Sequence, residues 1–110
     1  MPKRDDDLLL GDMLEAAESI FLFVGDMNYE TFIADKKTVD AVVRNFEILG
    51  EASKYISDKL KKENPLIEWR EMSDFRNVLI HEYFGIDYEI LWNAIQTILP
   101  QNHDLLKRLV

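Results

Sequence analysis

The sequence has no cysteine, which excludes disulfides and thiolate metal sites and leaves the redox state of its compartment undetermined. It has no apolar run approaching the length needed to span a bilayer. The Met1 to Leu10 segment carries Lys3 and Arg4 but passes directly into Asp5, Asp6 and Asp7, a pattern that no signal or transit peptide shows, so a cytoplasmic location is expected. Glycine and proline are scarce, and Gly25, Pro65, Gly85 and Pro100 fall where helical periodicity stops. Positive charge is also in deficit. The formal net charge of -8 argues against a general nucleic-acid coat protein, because non-specific binding is built mainly from Lys and Arg on phosphates. A local basic cleft is still compatible with it. Lys36, Lys37 and Arg44 form one candidate cluster and Lys54, Lys59, Lys61 and Lys62 another, and the plainer reading of both is a solvated helix face.

What is present reads as one small helical domain. A chain of 110 residues is long enough for a single core, and 47% hydrophobic with 31% charged residues falls in the soluble globular range. From about Asp6 to Gly25, Leu10, Met13, Ala17, Ile20 and Val24 recur at three and four spacing, with Leu14 and Phe21 widening the stripe. The acidic start of this segment suits the positive end of a helix dipole. Gly25 to Asp35 reads as a connector with one helical turn. A longer helix is expected from Lys36 to Glu63, where Val39, Val42, Phe46, Leu49, Ser53, Ile56 and Leu60 form a heptad-like seam. Ala41, Ile48, Ala52 and Tyr55 make a second strip beside it, so this helix should be covered on two sides. Asn64-Pro65 ends it. A third helix is expected from Glu68 to Tyr83, broken by Gly85 as a left-handed cap, and a fourth from an Asp87 cap through Leu99. Pro100 then interrupts, and a short amphipathic tail comes after it. The expected fold is all-α: an antiparallel bundle of four main helices with a short C-terminal helix, forming one domain over residues 1–110.

The chemistry concentrates in Arg76-Asn77-Val78-Leu79-Ile80-His81-Glu82-Tyr83. A guanidinium is always charged and grips phosphate in a planar fork, while imidazole gives and takes protons near neutral pH. Together they suggest phosphoryl chemistry. On an ideal helix Arg76 and Tyr83 lie within about 20° of each other, whereas Asn77 and His81 share a face roughly 120° to 140° away from Arg76. Convergence of Arg76 with His81 therefore needs a reaching arginine, a loosened last turn before Gly85, or a second copy of the helix across a dimer interface. Cleavage of RNA by its own 2′-hydroxyl wants one group to take a proton and another to deliver one, and two subunits supply two histidines. Each residue also has a plainer role. Arg76 can pair with Glu71 or Asp74, His81 can sit as a cation at a helix C-terminus, and Tyr83, Tyr88 and Trp92 can be core or interface aromatics. Trp69 and Met72 read as packing. Glu47 and Glu51, four apart, can bind a metal or orient Arg76, with a solvated or paired face as the alternative. The Glu-x-x-His pairs of a di-iron bundle are missing, so no metal or other cofactor is expected. No partner is evident for His103.

The spacing Arg-x4-His-x-Tyr, here Arg76, His81 and Tyr83, resembles the signature of the HEPN superfamily, closest to the HepT-type ribonuclease toxins encoded beside a minimal nucleotidyltransferase antitoxin. The likeness extends to Arg44-Asn45-Phe46-Glu47-Ile48-Leu49-Gly50-Glu51-Ala52, to Trp69 and Met72 ahead of the Arg-Asn pair, and to Ile86-Asp87 followed by Trp92. It implies a metal-independent endoribonuclease acting on RNA as the toxin of a toxin-antitoxin module, in a homodimer or higher even oligomer and without membrane association. In that reading Arg76 stabilises the phosphorane-like transition state. His81 is the general base or acid, and Asn77 orients the imidazole or the phosphate. Tyr83 is the residue to which the antitoxin transfers AMP, where added bulk and negative charge repel an RNA phosphate. A second reading from the same resemblance is a non-catalytic helical adaptor that binds a nucleotidyltransferase and presents a substrate to it.

Overall fold

A computed structural model describes residues 5–81 and 85–110, with only the backbone described at Ile80 and His81. The architecture is all-α apart from one two-residue ladder. Helix α1 spans Asp6–Val24, and Asp5 caps it by accepting from the backbone N–H of Asp7. A single glycine at positive φ, Gly25, ends it. The connector contains one short helix, α2 (Tyr29–Ala34), capped by Asn28. Helix α3 (Lys36–Tyr55) is the spine of the molecule, packed between α1 and α5 (Trp69–Leu79). Contacts on two sides were the expectation from its two apolar strips. The seam residues Val39, Val42, Phe46, Leu49, Ser53 and Ile56 are all buried.

The long second helix is shorter than its periodicity suggests. It stops at Tyr55, and a separate helix α4 (Asp58–Glu63) begins after Ser57. The apolar spacing continues across the break, but Asp6 on α1 overrides it. The Asp6 carboxylate accepts from the Ser57 backbone N–H at 2.9 Å and from its hydroxyl at 2.6 Å, while the same hydroxyl caps the N–H of Leu60. Those bonds hold Ile56 and Ser57 in extended backbone, so a helix cannot run through.

The third helix also ends early. Instead of continuing to Tyr83, α5 stops at Leu79 and the chain becomes strand β1 (Ile80–His81), which pairs antiparallel with β2 (Gly85–Ile86). His81 faces Gly85 in the ladder, and the Asp87 N–H donates to the carbonyl of Leu79 at 3.0 Å. Gly85 does adopt positive φ, at 76°, but within this hairpin and not as a helix cap.

Asp87 caps the next helix through the N–H of Ile90, as expected. Pro100 does not interrupt the C-terminal helices. Helix α6 (Tyr88–Asn93) passes into a wider π-helical stretch, Ala94–Ile98, and on into α7 (Leu99–Lys107) without leaving helical backbone. Proline lacks the N–H that an α-turn would use here, and the i to i+5 pattern of the π-turn, with the Leu99 N–H donating to Ala94, absorbs the shift.

Among the described residues no buried side-chain nitrogen or oxygen lacks a hydrogen-bond partner. The buried Ser53 hydroxyl donates to the carbonyl of Trp69 at 2.7 Å, and buried Asn102 on α7 bonds both the backbone and the carboxylate of Glu68. Trp69 and Met72 are packing residues, 6% exposed each. Trp92 packs tilted against Phe32 and meets Tyr29 edge-on. His103 has a partner after all: its Nε2 lies 3.1 Å from Glu18 on α1, and its ring meets Phe21 edge-on. No helix among the described residues is long and apolar enough to cross a membrane.

Candidate functional site: the groove between α3 and α5

Three contacts fix how α3 and α5 lie together. The Phe46 and Phe75 rings are 4.9 Å apart, Gly50 sits against Met72, and Ser53 bonds the carbonyl of Trp69. As the α3 number rises the α5 number falls, so the helices run antiparallel. The backbones approach closely at Gly50, where an added Cβ would lie 2.7 Å from the Met72 carbonyl oxygen. Such a gap has no room for a side chain, so glycine is needed here for close packing and not for its φ range.

Beside that contact the helices present a groove of about 550 Å³, with an apolar floor that includes Leu9, Ile48 and Met72 and with charged side chains among its lining residues. Arg76, in the last turn of α5, lines it together with Arg44 of α3, which the antiparallel register brings to the same end. Ser73 contributes from α5 and Tyr55 from the far end of α3. The other charged walls are acidic: Asp12 from α1 and Glu47 and Glu51 from α3. Among the described residues Arg76 makes no ion pair. Of its expected alternatives, Asp74 lies 3.6 Å from Arg70, and Glu71 lines other grooves. Arg76 and Asn77 are both exposed. A guanidinium held in a groove without a carboxylate partner keeps its donors available for a phosphate.

The end of α5 changes the geometry of the sequence motif. His81 lies beyond the helix, on extended backbone, so the wheel angle that separated it from Arg76 does not apply. Nor does the angle that set Tyr83 beside Arg76. The His81 side chain and the whole of Tyr83 lie outside the described residues; of the motif residues the structure places Arg76 in the groove, while Asn77 is exposed and is not part of that lining.

Sequence reasoning grouped Arg44 with Lys36 and Lys37, and the structure separates them. Lys36 is bonded to Asp40 at 2.8 Å, and that hydrogen bond, followed by the charge of the same carboxylate, holds its ammonium above the ordinary lysine value. Arg44 lies two turns further along and lines the same groove as Arg76. The signal that could have found this pairing was Gly50, the one glycine inside α3, where a second helix crosses. Glu47 and Glu51 share the groove with Arg44 and Arg76, and no group of three metal-ligating side chains occurs among the described residues.

A helical bundle with two arginines lining one groove, one of them opening an Arg-x4-His segment, has the parts of a phosphodiester-handling protein. Comparison with known proteins specifies it. The family model described as ribonuclease HepT-like matches residues 13–109, and the chain belongs to that family. It is 44% identical over 101 residues to a Methanocaldococcus jannaschii protein whose name describes it as RNase MJ1380, covering 92% of this chain and 93% of that one. It is 45% identical over 98 residues to a Thermococcus cleftensis protein named as ribonuclease HepT, covering 89% of each. A second M. jannaschii protein, named as RNase MJ0127, is 40% identical over 102 residues, or 93% of this chain and 84% of the relative. No solved structure matches. The class is therefore ribonuclease.

Proposed function

We propose that the chain is a metal-independent endoribonuclease, the toxin of a toxin-antitoxin pair, acting as a homodimer with a site shared between subunits. The observation that carries this reading is Arg76, exposed at the mouth of a groove, without an ion pair among the described residues, and followed by a helix end that frees the His81 segment from the wheel. Arg76 binds the non-bridging oxygens of the scissile phosphate and stabilises the extra negative charge of the phosphorane-like transition state. His81 takes the proton from the 2′-hydroxyl, whose oxygen attacks phosphorus as the bond to the 5′-oxygen breaks. The partner's copy of the imidazole protonates that leaving oxygen. Asn77 orients the imidazole or the phosphate through its amide. The products are a 2′,3′-cyclic phosphate and a 5′-hydroxyl end.

Tyr83 is the point of control in this reading. A nucleotidyltransferase antitoxin transfers AMP to its hydroxyl, and the added phosphate repels RNA from the cations next to it in sequence and in the groove.

The test is to express the chain alone and incubate it with end-labelled RNA in EDTA, beside the His81→Ala protein. Cleavage to cyclic-phosphate ends that survives EDTA, and that falls by about 10² to 10⁴ in the variant, is the expected result. RNA untouched by the wild-type chain ends the ribonuclease reading. For the shared site, dimers of one wild-type and one His81→Ala subunit should lose far more than half of the activity, because each then holds only one of the two imidazoles. For the control step, co-expression with the nucleotidyltransferase should raise the intact mass by AMP units, and Tyr83→Phe should abolish the rise.

A further inference from the structure

The groove that holds Arg76 is poorly charged for its proposed substrate. Two guanidinium groups, Arg44 and Arg76, share it with the carboxylates of Asp12, Glu47 and Glu51. RNA affinity is built mainly from cation to phosphate contacts, so among the described residues two guanidinium groups set beside Glu47 and Glu51 are a weak source of it. A second groove, of about 460 Å³, lies at the other end of the same helix pair and has the opposite balance. Lys54 at the end of α3, Lys61 on α4 and Arg70 in the first turn of α5 line it, against the single carboxylate of Glu71. The break between α3 and α4 is what makes it. The Lys61 ammonium folds back to the carbonyl of Lys54 at 3.3 Å, which brings the two lysines to one rim. Arg70 is 89% exposed and its pair with Asp74 is loose, so its fork can turn to another anion.

The two grooves share a wall residue. Ser73 lines both, and Arg70, Ser73 and Arg76 succeed one another at i, i+3 and i+6 along α5, an axial rise of about 9 Å. On the α3 side the junction is Tyr55, which lines the first groove, is 53% exposed, and has the Lys54 ammonium 5.6 Å from its ring centroid. An exposed ring beside a phosphate-binding cation is the combination that holds an unpaired base, by stacking, next to its own phosphate.

We propose that Lys54, Lys61 and Arg70 form a binding site for the phosphates of single-stranded RNA flanking the scissile bond, with Tyr55 stacking a base between this site and Arg76. The site supplies the affinity that the Arg76 groove lacks, and its preference for a single strand comes from Tyr55, since a paired and stacked base does not offer its face. This rests on the ribonuclease reading of the Arg76 groove.

The probe is a fluorescein-labelled single-stranded RNA oligonucleotide, with a duplex of the same sequence beside it, titrated by anisotropy with full-length His81→Ala protein so that the RNA stays intact. Changing Lys54, Lys61 and Arg70 to Gln in that background should raise Kd by about tenfold or more. It should also reduce the slope of log affinity against log salt by about 2, three phosphates at about 0.7 each. Tyr55→Ala should weaken single-strand binding and leave duplex binding unchanged. With His81 intact, the triple change should raise KM and leave kcat. A control that neutralises Lys36, Lys37 and Lys107 removes the same formal charge from elsewhere and should have a much smaller effect. An equal loss in the control, or a Kd and salt slope unmoved by the triple change, overturns the site. Preference for the duplex overturns the single-strand assignment. Tight, groove-dependent binding by a wild-type chain that never cuts RNA rejects the ribonuclease reading and keeps the binding site. Thermal melting monitors the fold, and if the triple protein melts early, the single exposed change Lys54→Glu carries the same test.

Discussion

Gly50 of α3 and Met72 of α5 touch backbone to backbone: a Cβ on Gly50 would stand 2.7 Å from the Met72 carbonyl oxygen. In an exposed helix, Gly→Ala stabilises by about 1 kcal/mol, because alanine loses less backbone entropy on folding. Here the contacting atom is main chain and cannot swing aside. Overpacking of this kind costs about 1 to 3 kcal/mol, so Gly50→Ala is expected to destabilise in spite of its helix propensity. A thermal melt decides the sign. Because the same contact sets the spacing of both grooves, RNA cleavage should fall further than stability alone explains. A Gly50→Ala protein as stable and as active as wild type would show that α5 gives way freely.

Asn102 is fully buried on α7 and is the only side chain described that reaches both the backbone and the carboxylate of Glu68 at the start of α5. Its Nδ2 also donates to the Ile98 carbonyl at 3.0 Å. Asn102→Leu keeps the volume and abandons the Glu68 N–H. A buried donor left unpaired costs about 1 to 3 kcal/mol. Each kcal/mol shifts Tm by about 4 to 8 °C in a domain of this size, so the loss is easily read in a melt. An unchanged Tm would mean that Glu68 finds water instead.

Ser57 and Asp6 are 51 residues apart and decide where α3 ends. Ser57→Ala removes the cap of α4 and the 2.6 Å bond to Asp6, and should cost about 1 kcal/mol. Asp6→Ala removes the same interaction from the other side. The two losses should therefore be sub-additive in the double variant, which a double-mutant cycle by urea denaturation measures. Simple additivity would mean that the bond does not hold the break. Since the break also brings Lys54 and Lys61 to one rim, Asp6→Ala should weaken RNA binding although Asp6 lies outside that groove.

These three contacts also mark what could be read in the sequence. Periodicity located α1 to within a residue, and side-chain caps identified the Asp87 start, because both signals are local. The end of α3 was not legible: Ile56 and Leu60 continue the apolar spacing, and the bond that stops the helix comes from Asp6. The end of α5 was missed for the same reason, since pairing of residues 80–81 with 85–86 overrides a helical pattern. Pro100 read as an interruption because a π-turn leaves no mark in composition. For the site, Arg76 was legible as the start of a spaced motif. Its convergence with Arg44 was not, because that depends on the antiparallel register of two helices separated by α4.

Arg76 offers the sharpest separation of chemistry from stability. It is exposed and makes no ion pair among the described residues, so Arg76→Ala should change stability by less than about 0.5 kcal/mol. If its fork stabilises charge that develops only in the transition state, kcat should fall by about 10² to 10³ with little change in KM. Arg76→Lys retains a cation and loses the two parallel donors, and should recover only part of the rate. Arg44, on the opposite wall, is the internal comparison. It reaches the same groove beside Glu47, and Arg44→Ala should raise KM more than it lowers kcat if its part is to hold the bound phosphate. Single-turnover cleavage of labelled RNA over a range of enzyme concentrations separates the two effects. Equal loss of kcat in both variants would make the pair one clamp, and full activity in Arg76→Ala would remove Arg76 from the chemistry.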